Sequence, residues 1–266
     1  MKILSMINAI FRNIKINLSS SLRKSTKFHW QYFISLIIGF CLVISLGIIE
    51  KPAVAQINQA IIQEILDGDQ VFIETVIAKV EDKAQFGQIV LTKESRAGML
   101  FNNGAAGRLG INSSVAVGQC VEVQEGAILV SGPINGCMAG ITVAVQGTVY
   151  VLETTNGKSG NVKVVEGSVK VSPNDGSGET VTLREGEKID VLEGILGQII
   201  PMTPEEIVSL LNGQLFSGFQ IPITAEGALQ SACSRLLPGL SCSTTGLPSY
   251  PLPIPSIPFS IPGLPF

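Results

Sequence analysis

The sequence predicts an all-β fold, an antiparallel meander forming a sandwich or short solenoid-like roll with a short C-terminal helical extension, and three observations carry this. Between Val71 and Leu192 the apolar segments are short, rich in Val and Ile, and bounded by Gly, Asn or Asp, which is how strands and their turns read. Gly87, Gly104, Gly126, Gly147, Gly167 and Gly186 recur at spacings of 17, 22, 21, 20 and 19 residues, enough for two strands and two turns per unit. Val162 and Val164, Val169 and Val171, and Val181 and Leu183 alternate with polar residues such as Lys163, Lys170 and Thr182, so one face of each strand is expected buried and the other wet.

Residues 1–55 read as an export signal. Arg12, Lys15, Arg23, Lys24 and Lys27 precede an apolar run from Tyr32 to Ile49, followed by Pro52 and the small-residue site Ala53, Val54, Ala55. Cleavage is expected after Ala55. The alternative is an uncleaved signal anchor, since the run approaches the ~18 residues of a membrane span. Either way the rest of the chain is placed outside the cytoplasm, periplasmic or secreted.

A short helical lead-in is expected over 56–69, where Ile57, Ile61, Ile62, Ile65 and Leu66 sit at helical spacing before Asp67, Gly68 and Asp69. The β domain is expected over 70–192, with its clearest strands at Thr148–Glu153, Asn161–Val165, Ser168–Val171, Thr180–Leu183 and Lys188–Leu192. Asn156–Gly160, Glu166–Gly167 and Pro173–Gly178 supply hairpin turns between them. A helical extension follows over 193–237. Within it Thr203 reads as an N-cap, Pro204 as the first helical residue and Glu206 as the reciprocal capping partner, Ile207, Leu210 and Leu211 form the apolar stripe, and Gly213 is the stop. From 238 to 266 a proline-rich tail is expected to run extended.

Export removes the only histidine and the only tryptophan, His29 and Trp30, and leaves 11 positive and 20 negative charges, a net of −9. An acidic chain with no basic cluster repels phosphate backbones, so no nucleic-acid partner is expected. Four cysteines remain, Cys120, Cys137, Cys233 and Cys242. They allow three connectivities, of which 120 with 137 and 233 with 242 closes the shortest loops, the first contributing about 3 kcal/mol. The rival is a zinc site of four thiolates, against which stand export and the absence of a C-x-x-C spacing.

Four segments carry a resemblance. Ser95 to Gly104, ending Leu100, Phe101, Asn102, Asn103, Gly104, resembles the "a-x-L-x-F-x-d-G" run of the FecR domain. Val143 to Val151, through Gly147, Thr148 and Tyr150, is similar to its "V-x-G-T-x-[FY]-x-V". Gly160 to Val171, through Glu166 and Gly167, resembles "V-x-V-x-E-G-x-V-x-V", and Val181 to Lys188, through Gly186, resembles "v-x-L-x-x-G-[EQ]". The resemblance covers about residues 70 to 192. It implies a periplasmic all-β domain of the bacterial cell envelope, of a kind that in several members signals to a sigma factor. Those members carry a sizeable helical domain before their membrane span; Met1 to Lys27 is basic and has no such pattern, so direct sigma-factor contact is not expected of it.

Catalysis is not expected. Gly104 to Gly110 is glycine-rich but lacks the Lys-Ser/Thr and helix of a phosphate loop. Glu122 with Glu125, Glu185 with Glu187 and Glu205 with Glu206 could be paired acids of a glycan hydrolase, but turn positions and a helix cap account for them. With no mature histidine a serine or cysteine nucleophile lacks its usual base. Arg96, Arg108 and Arg184 read as strand-edge charges, Tyr150 as a core aromatic with a bonded hydroxyl, and Asp67 to Asp69 as a helix stop. The expectation is a noncatalytic binding or sensing module without cofactor or metal, facing a protein or envelope partner and touching membrane only through an uncleaved N-terminus. A membrane-anchored signal-transduction component in a sigma-factor pathway is the alternative, and a glycan hydrolase the third class. The tail, with Tyr250, Ile254, Ile257, Phe259 and Phe266, is the expected partner contact.

Overall fold

The structure is a computed structural model that describes residues 56–224 and 228–239. Residues 1–55, expected to be an export signal, and residues 240–266 of the expected proline-rich tail, with Cys242 and the five tail residues named above, lie outside the described residues.

Among the described residues seventeen strands form two sheets joined through one long strand. The first sheet runs β4 (Lys83–Gln85), β1 (Gln59–Leu66), β6 (Arg96–Phe101), β7 (Ala106–Leu109), the second half of β9 (Cys120–Gly132), β12 (Thr148–Thr154), β13 (Ser159–Glu166), β16 (Glu187–Leu192) and β17 (Ile195–Pro201). The second runs β3 (Val76–Ile77), β2 (Val71–Ile73), β5 (Ile89–Thr92), β8 (Ser114–Ala116), the first half of β9, β10 (Asn135–Met138), β11 (Ile141–Val145), β14 (Ser168–Pro173) and β15 (Val181–Arg184). Every pairing is antiparallel except β9 with β10. The expected all-β architecture is present, and the chain builds it by visiting the sheets alternately.

Gly126 makes the change of sheet within β9 possible. Its φ is +76° and a Cβ there would lie 2.3 Å from the Ser113 hydroxyl oxygen, so a side chain at this corner meets both backbone strain and a clash. After the corner the chain completes one coil and returns beside its start, which is why β10 is parallel to β9. The Cys120–Cys137 disulfide closes that coil, as the spacing suggested.

The core lies between the sheets. Ile62, Phe101, Leu109, Ile128, Ile134, Tyr150, Leu152, Val164, Leu183 and Ile189 are all within 1 % of full burial there. Tyr150 donates its hydroxyl to the Ile134 carbonyl at 2.8 Å, and burial raises its pKa well above the usual range.

Three expectations need correction. The lead-in is strand β1, not helix. A bulge between Ile62 and Glu64 changes which residues face inward, so Ala60 and Ile62 before it and Ile65 after it reach the core, leaving a three-residue gap that imitates helical spacing. Ile195–Pro201, assigned to the helical extension, is β17, so the sheet system spans Gln59 to Pro201. The turn at Glu166–Gly167 is a corner between sheets rather than a hairpin, because β13 and β14 belong to different sheets. At Gly167, φ +84°, a Cβ would sit 2.8 Å from the Thr148 methyl. The hairpins at Asn156–Gly160 and Pro173–Gly178 are present.

Beyond β17, α1 (Pro204–Leu211) has Thr203 as N-cap, Pro204 in its first turn and the full reciprocal box with Glu206. A second helix, α2 (Ala228–Leu236), buries Ala232 and Cys233. Both lie on the outer face of the first sheet, where Met202, Ile207, Leu211, Leu215, Phe216 and Leu237 cover Leu129, Val149, Val151 and Val165.

Candidate functional site

The helical cover is held down by charges from the far end of the same sheet. Arg108 on β7 pairs with Gly98 on β6, so Arg96, two residues from Gly98, lies diagonally from Arg108 on the same face, and both reach the segment 214–221. The Nη1 of Arg96 donates to the carbonyls of Gln214 and Ser217, each at 2.6 Å, and Nη2 of Arg108 donates to that of Ile221 at 2.8 Å. Glu64 on β1 accepts the amides of Gln220 and Ile221 at 2.8 and 3.1 Å. Phe219 lies against both guanidinium groups, with ring centroid distances of 5.4 Å to Arg96 and 4.5 Å to Arg108, so one aromatic face is shared by two cations.

This clamp corrects the reading of Arg96 and Arg108 as strand-edge charges: both are buried, on interior strands. Burial pushes the Arg108 guanidinium down to about 10, with Glu64 opposing and Arg96 reinforcing the shift, so it stays charged at neutral pH. Asp67, which ends β1 rather than a helix, pairs with Arg96, and the hydrogen bond holds its carboxyl below the usual range. Arg184 is exposed on β15, an edge strand, as expected.

A cavity of about 300 Å³ lies under α1, lined in part by Glu153, Lys163, Glu206 and Gln214. Its charges are answered in place. Lys163 bridges to Glu153 at 2.6 Å and Lys188 to Glu206, and the hydrogen bonds that Glu206 accepts from Lys188 and from the Thr203 amide lower its carboxyl pKa. Of the other acids singled out, Glu185 pairs with Arg235 at 2.7 Å and Glu187 accepts the Arg184 amide at 2.7 Å, while Glu122, Glu125 and Glu205 are exposed.

The motif residues are spread through the fold rather than gathered. Gly104, Gly147, Gly167 and Gly186 occupy turns with positive φ, Thr148 and Tyr150 are buried on β12, and Glu166 ends β13. They shape the roll. Cys233 is disulfide-bonded.

What the fold leaves open is the end where both sheets finish. Here a groove of about 400 Å³ runs between the β14–β15 turn and β17, with Asp175, Glu179 and Glu193 on its rim and Val181, Ile195 and Leu196 along its apolar side. Ser177 holds Asp175 below the usual carboxylate range through its hydroxyl and amide. Along this end Leu192, Ile195, Ile199 and Ile200 are exposed, Ile195 by 71 %. Sequence reading missed this edge because Gly197 and the bulge opposite Asp190 hide its alternation; the uncharged stretch Ile195 to Pro201 was the available signal.

Fold and geometry define a two-sheet antiparallel β-roll with a clamped helical cover and one bare apolar edge. No family model matches the chain and no curated protein is significantly similar to it, so the FecR likeness rests on its motifs. Two crystal structures of a candidate anti-sigma factor from Parabacteroides distasonis ATCC 8503 align with it at TM-scores of 0.40 and 0.39. Identity is 15 % and 14 %, over 55 % and 56 % of this chain and 72 % and 73 % of theirs.

Proposed function

We propose that the chain is an exported, noncatalytic docking module of the cell envelope, FecR-like in plan, which recognises a protein partner along the open edge of its first sheet. The observation that carries this is the contrast within the described residues between charges and apolar surface. Arg96, Lys163, Lys188 and Arg235 are engaged in ion pairs that hold the fold, whereas β17 presents bare apolar side chains beside unpaired backbone. Such an edge binds by strand addition and burial, not by bond-making. The Cys120–Cys137 disulfide supports an oxidising compartment.

A photo-crosslinking side chain placed at Ile195 in the producing cell tests the reading, with the same group at the exposed Lys170 as control. Covalent adducts from position 195 and none from 170 are expected. Equal yields from both, or none from 195, remove the edge as the docking site. N-terminal sequencing of the released protein separates the cleaved form, which begins at Gln56, from a membrane-anchored signalling component.

A further inference from the structure

The two sheets end in four edge strands, and three are blunted. β3 has two residues, β4 has three and begins with Lys83, and β15 has four and ends with Arg184. β17 has seven residues and no charge. Short or charged edges resist pairing with another chain, and a long uncharged one invites it.

The register of β17 shows what fits. Ile199 lies opposite the buried Ile189 and Leu196 opposite the buried Val191, while Ile200 and Ile195 lie opposite Lys188 and Leu192. β17 therefore carries one more residue than β16 between these pairs. The extra residue places Leu196 and Ile199 on the inner side and Ile195 and Ile200 on the outer side, a pattern symmetric about the midpoint of Gly197 and Gln198. The Met202 amide donates to the Gly186 carbonyl at 2.7 Å, so by alternation Ile200 turns its backbone groups toward β16 while Ile199 and Pro201 turn theirs to the open side. Pro201, which has no N–H, can donate nothing on that side and so ends the usable ladder, which runs over residues 195–200.

We infer that β17 pairs antiparallel with β17 of a second copy of this chain, about a two-fold axis between Gly197 and Gln198, and joins the two first sheets into one. The inference rests on the docking reading above and names its partner. In this pairing Leu196 meets Ile199 of the second copy on the inner side, and Ile195 meets Ile200 of the second copy on the outer side. Both contacts occur twice, as a closed two-fold contact requires. Glu193, the nearest acid at the start of the strand, meets the Met202 end of the other copy, and the two Glu193 residues stand about 30 Å apart along the ladder. No like charges are opposed, so the net charge of the chain does not forbid the contact. An extended segment of a different protein would have no reason to find its match in the strand's own symmetry.

The test is oxidation of the full chain carrying Gln198→Cys, whose two copies at the axis fall within disulfide reach, beside Lys170→Cys as control. Gln198→Cys is expected to give a linked species of twice the chain mass and Lys170→Cys none. Adding Ile195→Lys to Gln198→Cys should lower the linked fraction about tenfold, with an unchanged melting temperature for the reduced chain at a dilution where it is monomeric. Absence of the linked species, or its indifference to Ile195→Lys, overturns the self-pairing. So does an Ile195 photo-adduct containing only a different protein, though that outcome leaves the docking reading standing. Unlinked assemblies larger than two chains in native mass spectrometry would instead indicate head-to-tail contact with the exposed Val76, Ile77 and Phe86, and would also overturn it.

Discussion

The outer face of the first sheet and its last edge are both rich in aliphatic side chains, yet one is sealed and the other bare. The face around Leu129, Val149 and Val151 lies under Met202, Ile207, Leu211 and Phe216, and the segment continuing from α1 is tied to the sheet through Glu64, Arg96 and Arg108. The edge has Ile195, Ile199 and Ile200 exposed and no comparable polar anchor. Apolar area alone therefore does not decide what a chain covers with itself. Polar groups that receive the covering backbone decide it, because a strap laid over a sheet must have its own amides and carbonyls satisfied.

The largest way to break the contrast is to make the covered face resemble the bare one. Leu211→Ala, at a site 1 % exposed, is expected to cost ~2–5 kcal/mol, measured as a lowered denaturation midpoint. Removing one anchor is milder. Arg108→Met takes away the donors to Leu215, Phe216 and Ile221 and should loosen the strap by ~1.5–3 kcal/mol, visible as faster hydrogen exchange across 214–221 with β12 and β13 unchanged. Thr203→Ala removes the N-cap of α1 and should cost about 1 kcal/mol, read from thermal unfolding.

Ile195→Lys sharpens the comparison from the other side. It should shift stability by no more than ~0.5 kcal/mol, since the bare edge is not part of what holds the fold. Acid should act least. Asp67 is depressed in the folded state by its bond to Arg96, so its contribution is complete above the ordinary carboxylate range and is lost only as pH falls through the depressed value. Protection at 214–218, taken relative to the intrinsic exchange rate at each pH, should stay flat from neutral pH to about 5 and fall below the ordinary Asp range.

Legibility followed the distance between cause and effect. Strands β12 to β16 were readable because alternation, turns and spacing sit within a few residues of one another, and the Thr203–Glu206 box is complete in four. β1 and β17 were misread for a shared reason: each contains an extra residue that breaks the period of two, at Ile62–Glu64 and opposite Asp190. The clamp could not be read because Arg96 and Arg108 find their acceptors more than a hundred residues away, where no local pattern records the pairing. The bare edge was half legible, its lack of charge being plain and its place at the end of a sheet not.

The disulfide in the single coil where β9 meets β10 has a mechanical meaning. Tension applied at either terminus would peel hairpins away one after another, but the loop from Cys120 to Cys137 is a covalent ring that does not lengthen. Force crosses that ring through the sulfur–sulfur bond, so the residues between the two cysteines add nothing to the length released. A chain pulled from both ends would thus stop short of its full contour by the span of that ring, and reducing the bond would restore the missing length.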